Sequence, residues 1–276
     1  MINNSKRRLI IDGSSGFLGK SISNYFLEKK NYQIIKLNRE ISNPIHGNQK
    51  YILIIATGLF DGSITNLVES NILRPLKVLT KLDKVISKVI LLSSGAVYGS
   101  KYNNPRSMEN DILKPYDLYS STKSSIEKLI QFYLSDKNLP LTILRLPIVY
   151  SANNLKGVLP TMIHSYLKNR SITVYNSGKS VRDFLHYEDF LFALNNIIEF
   201  DIRGIYNISS EATYSMLELA SIIVNKKSEI IISDKKPNSL EKLSLNYSKA
   251  INDFSFKPKF NSLSELDLFS MYCFKK

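Results

Sequence analysis

The sequence predicts an α/β fold: a doubly wound parallel sheet with a smaller C-terminal lobe. Two observations carry this. In the first half, short runs that are apolar on both faces alternate with amphipathic helical stretches, the pattern of a parallel sheet covered by helices on both sides. A glycine-rich turn joins the first predicted strand to the first predicted helix. At 276 residues the chain has room for one large domain or two lobes.

Residues 8–12 read as the first strand. The turn Asp12-Gly13-Ser14-Ser15-Gly16-Phe17-Leu18-Gly19 follows, and 17–29 is a helix with Phe17, Leu18, Ile22, Tyr25 and Phe26 on one face. Strands are expected at 33–37, 51–56, 89–93 and 141–146. Helices are expected at 66–82 and 120–134. Past Tyr150 the pattern becomes irregular. The expected division is a dinucleotide-binding lobe from 1–150, to which 184–209 returns, and a substrate lobe from 151–183 and 210–276. Substrate is then expected between the lobes, outside the carboxyl ends of the strands.

Composition narrows the function classes. Hydrophobic residues are 43% and charged residues 22%, which excludes disordered, collagen-like and coiled-coil chains. The only cysteine is Cys273, so neither an intrachain disulfide nor a cysteine metal cluster is expected. His46, His164 and His186 have no metal-ligand spacing, and no metal is expected. No apolar run approaches a membrane span, and the stretch after Lys6-Arg7-Arg8 is too short for a signal peptide. A cytoplasmic protein without a membrane partner is expected. The net charge of +13 comes from scattered pairs such as Lys29-Lys30 and Lys226-Lys227. It reads either as a solvated surface or as attraction for an anionic small substrate. No basic helix or aromatic RNA-binding cluster accompanies it, so no nucleic-acid partner is expected.

The spacing Gly13-x-x-Gly16-x-x-Gly19, between strand and helix, suits a pyrophosphate at a helix N-terminus. About 20 residues on, where an acidic residue usually binds the ribose of NAD, stand Asn38 and Arg39. Arg39, helped by Ser14, suits a 2′-phosphate and favours NADPH. NAD stays possible if Arg39 is a surface residue and Glu40 binds the ribose. The strand at 89–93 runs into Ser93-Ser94-Gly95-Ala96-Val97-Tyr98-Gly99. Tyr119 and Lys123 are one helical turn apart on a single face. An ammonium beside a phenol is expected to lower the phenol's pKa for acid–base work, with Ser94 on the same substrate oxygen.

These motifs together resemble the extended short-chain dehydrogenase/reductases, in particular the NAD-dependent epimerase/dehydratase family acting on nucleotide sugars. The resemblance runs from Leu9 to about Ser209. It includes Ala56, Asn71, Leu144-Arg145, Tyr150, Gly178-x-x-x-Arg182-Asp183-Phe184-x-His186-x-x-Asp189 and Tyr206-Asn207-Ile208. It implies a Rossmann-type fold. It implies Tyr119 as acid/base, Lys123 as nicotinamide-ribose ligand and tuner of Tyr119, and Ser94 on the sugar C4 oxygen. Gly13, Ser14, Ser15, Gly16, Phe17, Leu18, Asn38, Arg39, Ala56, Asn71 and Pro147 are then expected against the cofactor. Arg182 is expected on the substrate pyrophosphate, unless it pairs with Asp183 or Asp189, and Asn153 and Tyr175 near the sugar nucleotide. His186 and Asp189 are expected to fix the lobe interface.

The dehydratases of the family need an Asp and a Glu where this chain has Gly95 and Ala96, which argues against 4,6-dehydration. The missing Cys after the serine pair argues against a 3,5-epimerase–reductase. A 4-ketoreductase using NADPH and a 4-epimerase using NAD remain. Asn38-Arg39 and the short second lobe favour reduction of a CDP-, dTDP- or GDP-linked 4-keto-deoxyhexose, as in the CDP-abequose and CDP-paratose synthases of surface-polysaccharide (O-antigen) biosynthesis. A silent cofactor-binding scaffold is disfavoured by the intact Ser94, Tyr119 and Lys123. The resemblance also implies a homodimer through the Tyr119–Lys123 helix. Ile126, Leu129, Ile130 and Tyr133 recur there at helical spacing, although they equally suit packing on the sheet.

Overall fold

The computed structural model describes residues 6–37, 49–100, 106–152, 154, 156–224, 227–233 and 242–263. Its strands are β1 (Arg7–Asp12), β2 (Tyr32–Lys36), β3 (Tyr51–Ile55), β4 (Ile86–Ser94), β5 (Leu141–Leu146), β6 (Ile148–Tyr150), β7 (Ile172–Tyr175), β8 (Val181–His186), β9 (Gly204–Asn207), β10 (Ala212–Ser215) and β11 (Ile230–Ser233). Its helices are α1 (Phe17–Leu27), α2 (Ile64–Val68), α3 (Arg74–Leu82), α4 (Leu118–Ser135), α5 (Val158–Asn169), α6 (Tyr187–Glu199), α7 (Met216–Ile223) and α8 (Ser248–Phe254).

Six parallel strands lie in the order β2-β1-β3-β4-β5-β9. The chain steps outward from β1 to β2, then returns past β1 and builds the other way from β3. The crevice between the ends of β1 and β3 is therefore a topological switch point, where open α/β sheets bind ligands. Alternation along β1 fills both faces. Leu9 and Ile11 join Ile22 and Phe26 of α1 and Phe190 and Leu194 of α6. Ile10 joins Val78 and Leu79 of α3 and Ile126 and Ile130 of α4.

The helix expected over 66–82 is interrupted. A π-helical turn, Glu69–Leu73, separates α2 from α3. Pro75 lies at the start of α3. It has no N–H to give the carbonyl of residue 71 and its ring crowds that carbonyl, so the wider turn relieves both. Asn71 sits within the turn.

Beyond Tyr150 the chain is more regular than its sequence suggests. Strands β10-β8-β6 form one small sheet and β11-β7 a parallel pair. With α5 and α7 they enclose Tyr150, Leu159, Ile163, Tyr166, Ile172, Phe184 and Leu219. Their strands have three to six residues, too short for a readable alternation. Ala250 and Phe254 of α8, with Phe256, pack into the cluster of α1 and α6, and the Tyr206 hydroxyl donates to Asp253 at 2.7 Å.

A buried ion pair ties the strand ends together. Arg145 of β5 donates to Glu127 of α4 at 2.7 Å, with side chains only 4% and 1% exposed. Glu127 also accepts from the Ser93 hydroxyl of β4. Arg145 Nη1 reaches the Tyr98 hydroxyl at 2.8 Å and the Glu109 carbonyl at 3.0 Å. Tyr98 donates to Asn207 of β9 at 2.8 Å. Removing one partner strands the other charge. Glu127→Ala is expected to lower the unfolding free energy by about 3–5 kcal/mol in urea titrations. Lys77→Ala, at the exposed Glu69 pair, is expected to change it by less than ~1 kcal/mol.

Candidate functional site

The glycine turn closes on itself. Gly13 has a φ of +81°, and a Cβ there would stand 2.6 Å from the Thr57 amide nitrogen. Gly16 N donates to Gly13 O at 3.0 Å. A Cβ on Gly19 would lie 2.1 Å from that same oxygen, so only glycine lets α1 come this close. Gly16 is the N-cap of α1 and brings no capping side chain. The first N–H groups of α1 therefore face the turn, which fits the pyrophosphate of a dinucleotide. Ser14 Oγ donates to Leu37 O at 3.3 Å, Ser15 is exposed, and Phe17 and Leu18 are half-buried.

Beneath the turn lies a pair that the sequence reading missed. Asp12 is fully buried and accepts from Arg74 Nε and Nη2 at 3.0 and 2.8 Å and from the Thr57 hydroxyl. The available signal was a carboxylate ending a buried strand, which needs a cationic partner. Ala56 N donates to Asp12 O at 3.0 Å, setting the β3 end level with the turn.

The second wall is built from β4 and α4. Asp117 and Ser120 form a capping box that starts α4 at Leu118. That puts Tyr119 in the first turn and Lys123 in the next. Ser94 Oγ accepts from Ala96 N at 3.2 Å, and its hydroxyl lies close enough to the Tyr119 phenol to lower that group's pKa. Lys123 Nζ donates to Leu92 O at 3.0 Å and lies beside Gly58, where a Cβ would be 3.0 Å from it. Asn71 bonds both backbone groups of Leu59, at 2.7 and 2.9 Å, and the Thr122 hydroxyl at 2.8 Å. It thereby ties the π turn to α4.

Burial reverses the expected direction at Tyr119. It pushes the phenol pKa up, Ser94 opposes it, and the Asp117 charge adds to the rise. Lys123 does not offset this, since its ammonium turns to the Leu92 carbonyl. Burial pulls Lys123 down to about 8, against the pull of Glu127.

The third wall is β8. Arg182 is half-buried, its Nη1 donates to Val181 O at 2.9 Å, and burial lowers its pKa against the attraction of Tyr116. Neither expected partner takes it. Asp183 is bonded to Ser209 and Leu245, and Asp189 to the amides of Lys259 and Phe260. Among the described residues the Arg182 guanidinium has no carboxylate partner. The His186 ring packs against Tyr150, Tyr187 and Phe260, with centroids 5.2, 4.8 and 4.0 Å away. Pro147 is buried between β5 and β6, and Tyr175 is exposed at the end of β7. Asn38, Arg39 and Asn153 lie outside the described residues. Among the described residues no His/Cys/Asp/Glu group suits a metal, and no helix is long and apolar enough to cross a membrane.

The model of the NAD dependent epimerase/dehydratase family matches residues 58–209, more than half of the chain. The dTDP-D-glucose 4,6-dehydratase of Dictyostelium discoideum is 26% identical over 79% of this chain and 62% of its own length. The low-salt glycan biosynthesis protein Agl12 of Haloferax volcanii is 30% identical over 52% of this chain and 46% of its own length. The chain thus spans about half to three fifths of these curated relatives. The solved structure of UDP-glucuronic acid 4-epimerase from Bacillus cereus, in complex with UDP-glucuronic acid and NAD, superposes with a TM-score of 0.82 at 19% identity. It covers 97% of this chain and 98% of its own.

Gly19→Ala must displace the Gly13 carbonyl. It is expected to weaken NADH and NADPH binding by at least about tenfold, or ~1.4 kcal/mol, in a fluorescence titration.

Proposed function

We propose that this chain, which belongs to the NAD dependent epimerase/dehydratase family, reduces the C4 ketone of a nucleotide-linked 4-keto-(di)deoxyhexose using NADPH. The observation that carries this reading is the joining of Ser94, Tyr119 and Lys123 at the strand ends beside the glycine turn, with no carboxylate at Gly95 or Ala96.

Each group has a distinct task. Tyr119 is held protonated by burial, which suits an acid that gives its proton to the forming C4 alkoxide. The Ser94 hydroxyl hydrogen-bonds that oxygen. The Lys123 ammonium, held by the Leu92 carbonyl beside Gly58, is placed to hold the nicotinamide ribose. Arg182, a partly buried cation without a carboxylate partner among the described residues, receives the substrate diphosphate. A planar guanidinium suits that group. The uncapped start of α1 holds the dinucleotide diphosphate. A bound nicotinamide supplies the hydride.

Asp and Glu side chains for eliminating water from C5 and C6 are missing at 95 and 96, which leaves reduction or epimerisation. The same Ser94–Tyr119 pair also serves to take a proton from a C4 hydroxyl. The second reading is therefore NAD-dependent 4-epimerisation. In the reductase reading the substrate is CDP-, dTDP- or GDP-linked and the product enters surface polysaccharide. We further propose a homodimer paired through the outer face of α4. Ile126 and Ile130 are buried on the sheet, but Leu118, Leu129 and Phe132 are 50%, 43% and 79% exposed.

The test is cofactor oxidation at 340 nm with CDP-, dTDP-, GDP- and UDP-linked 4-keto-deoxyhexoses, with NADPH and NADH in parallel. Turnover with NADPH is expected, reduced by at least about 100-fold in Tyr119→Phe, the scale of general acid catalysis. Interconversion of UDP-hexoses without net oxidation would replace this reading by the epimerase one.

A further inference from the structure

One buried carboxyl group has no part in the chemistry above. Asp183, next to Arg182 on β8 and facing the opposite way, is 0% exposed. Its Oδ2 accepts from Ser209 Oγ at 2.7 Å and from Leu245 N at 3.0 Å. Its Oδ1 is buried without a hydrogen-bond partner.

Leu245 belongs to an extended stretch, 242–246, strung across the site. Leu243 N donates to Val181 O at 3.1 Å, Ser107 N to Ser244 O at 2.8 Å, and Asn246 N to Ser107 O at 2.9 Å. The Leu245 side chain is fully buried and lies over Gly95, where a Cβ would stand 2.9 Å from its Cδ2. It shares a cluster with Ala96, Val97 and Tyr98, and Tyr119 packs against that cluster.

We infer that Asp183 is a positioning residue whose carboxyl group seats Leu245 on Gly95 and so sets the apolar wall beside Ser94 and Tyr119. That this wall meets the sugar ring rests on the proposed function. The seating itself does not.

The seat is sensitive to pH. Burial raises the Asp183 pKa to about 7, against the Ser209 and Leu245 bonds. Arg106 lowers it and Glu211 raises it. Those two are ion-paired with each other, and the Tyr247 phenol also feels the Asp183 charge. The closed state keeps a proton that an opened or unfolded carboxyl loses above about pH 4. Opening is therefore favoured as pH rises from 4 to 7 and levels off beyond. Asp183→Asn keeps an oxygen for Leu245 N and Ser209 but does not titrate.

The experiment compares wild type, Asp183→Asn and Asp183→Ala by amide exchange of 242–246, corrected for intrinsic rates. Between pH 5 and 7 the wild-type opening constant is expected to rise about 50-fold, while that of Asp183→Asn stays flat. Asp183→Ala is expected to be open at both. With the sugar nucleotide that the oxidation assay identifies, Asp183→Ala is expected to raise KM about fivefold with kcat changed less than twofold. Asp183→Asn is expected to restore KM. Should Asp183→Ala fail to fold, Leu245→Ala carries the KM test. Equal exchange in wild type and Asp183→Ala overturns the inference, as does an Asp183→Asn as open as Asp183→Ala. If no sugar nucleotide is turned over, the functional reading fails and the exchange result still decides where Asp183 acts.

Discussion

The ion pair between Arg145 and Glu127 holds β4, β5, α4 and β9 in register beneath the site. It is buried on both sides, and its satellites Ser93, Tyr98 and Asn207 belong to β4, the turn after it and β9. A one-residue slip of any of these elements would leave a charge or a hydroxyl unpaired in the core, a cost of several kcal/mol. Ser94 follows Ser93, and Lys123 stands one turn before Glu127. The positions of Ser94 and Lys123 are thus set by one network lying just below them.

Charge in the site is local, not a sample of the surface excess. The lysine pairs behind the +13 net charge are scattered along the chain. The charges that matter are partly or wholly buried, and each is treated differently. Asp12 is neutralised by Arg74. Lys123 is held by a backbone carbonyl. Arg182 keeps no carboxylate of its own among the described residues. Arg182 lies close enough to Tyr116, just before α4, to feel its charge. A desolvated cation there attracts a diphosphate far more strongly than an exposed lysine does.

Local pattern made part of this legible. The glycine turn, the strands of the six-stranded sheet up to β5, and the Tyr119–Lys123 helix follow from short-range spacing, and each is where the sequence places it. Whatever depends on a distant partner was not legible. Pro75 signalled trouble in the helix, but the π turn required knowing that Asn71 had Leu59 and Thr122 to bond. The strands past Tyr150 are too short to show a period. The stretch 242–246 is held by Ser107, Val181 and Asp183, none of them near it in sequence. The spacing of Tyr119 and Lys123 was right, yet the direction of the Tyr119 shift was not, because burial outweighs an ammonium that bonds elsewhere.

The central claim is that Ser94 and Tyr119 hold a C4 oxygen while hydride reaches C4 from outside the sugar. NADPH labelled with deuterium at the transferring position of the nicotinamide tests it directly. Nuclear magnetic resonance of the product is predicted to show deuterium at sugar C4, one label per NADPH consumed. A product labelled at another carbon, or a C4-inverted sugar without label, would contradict it.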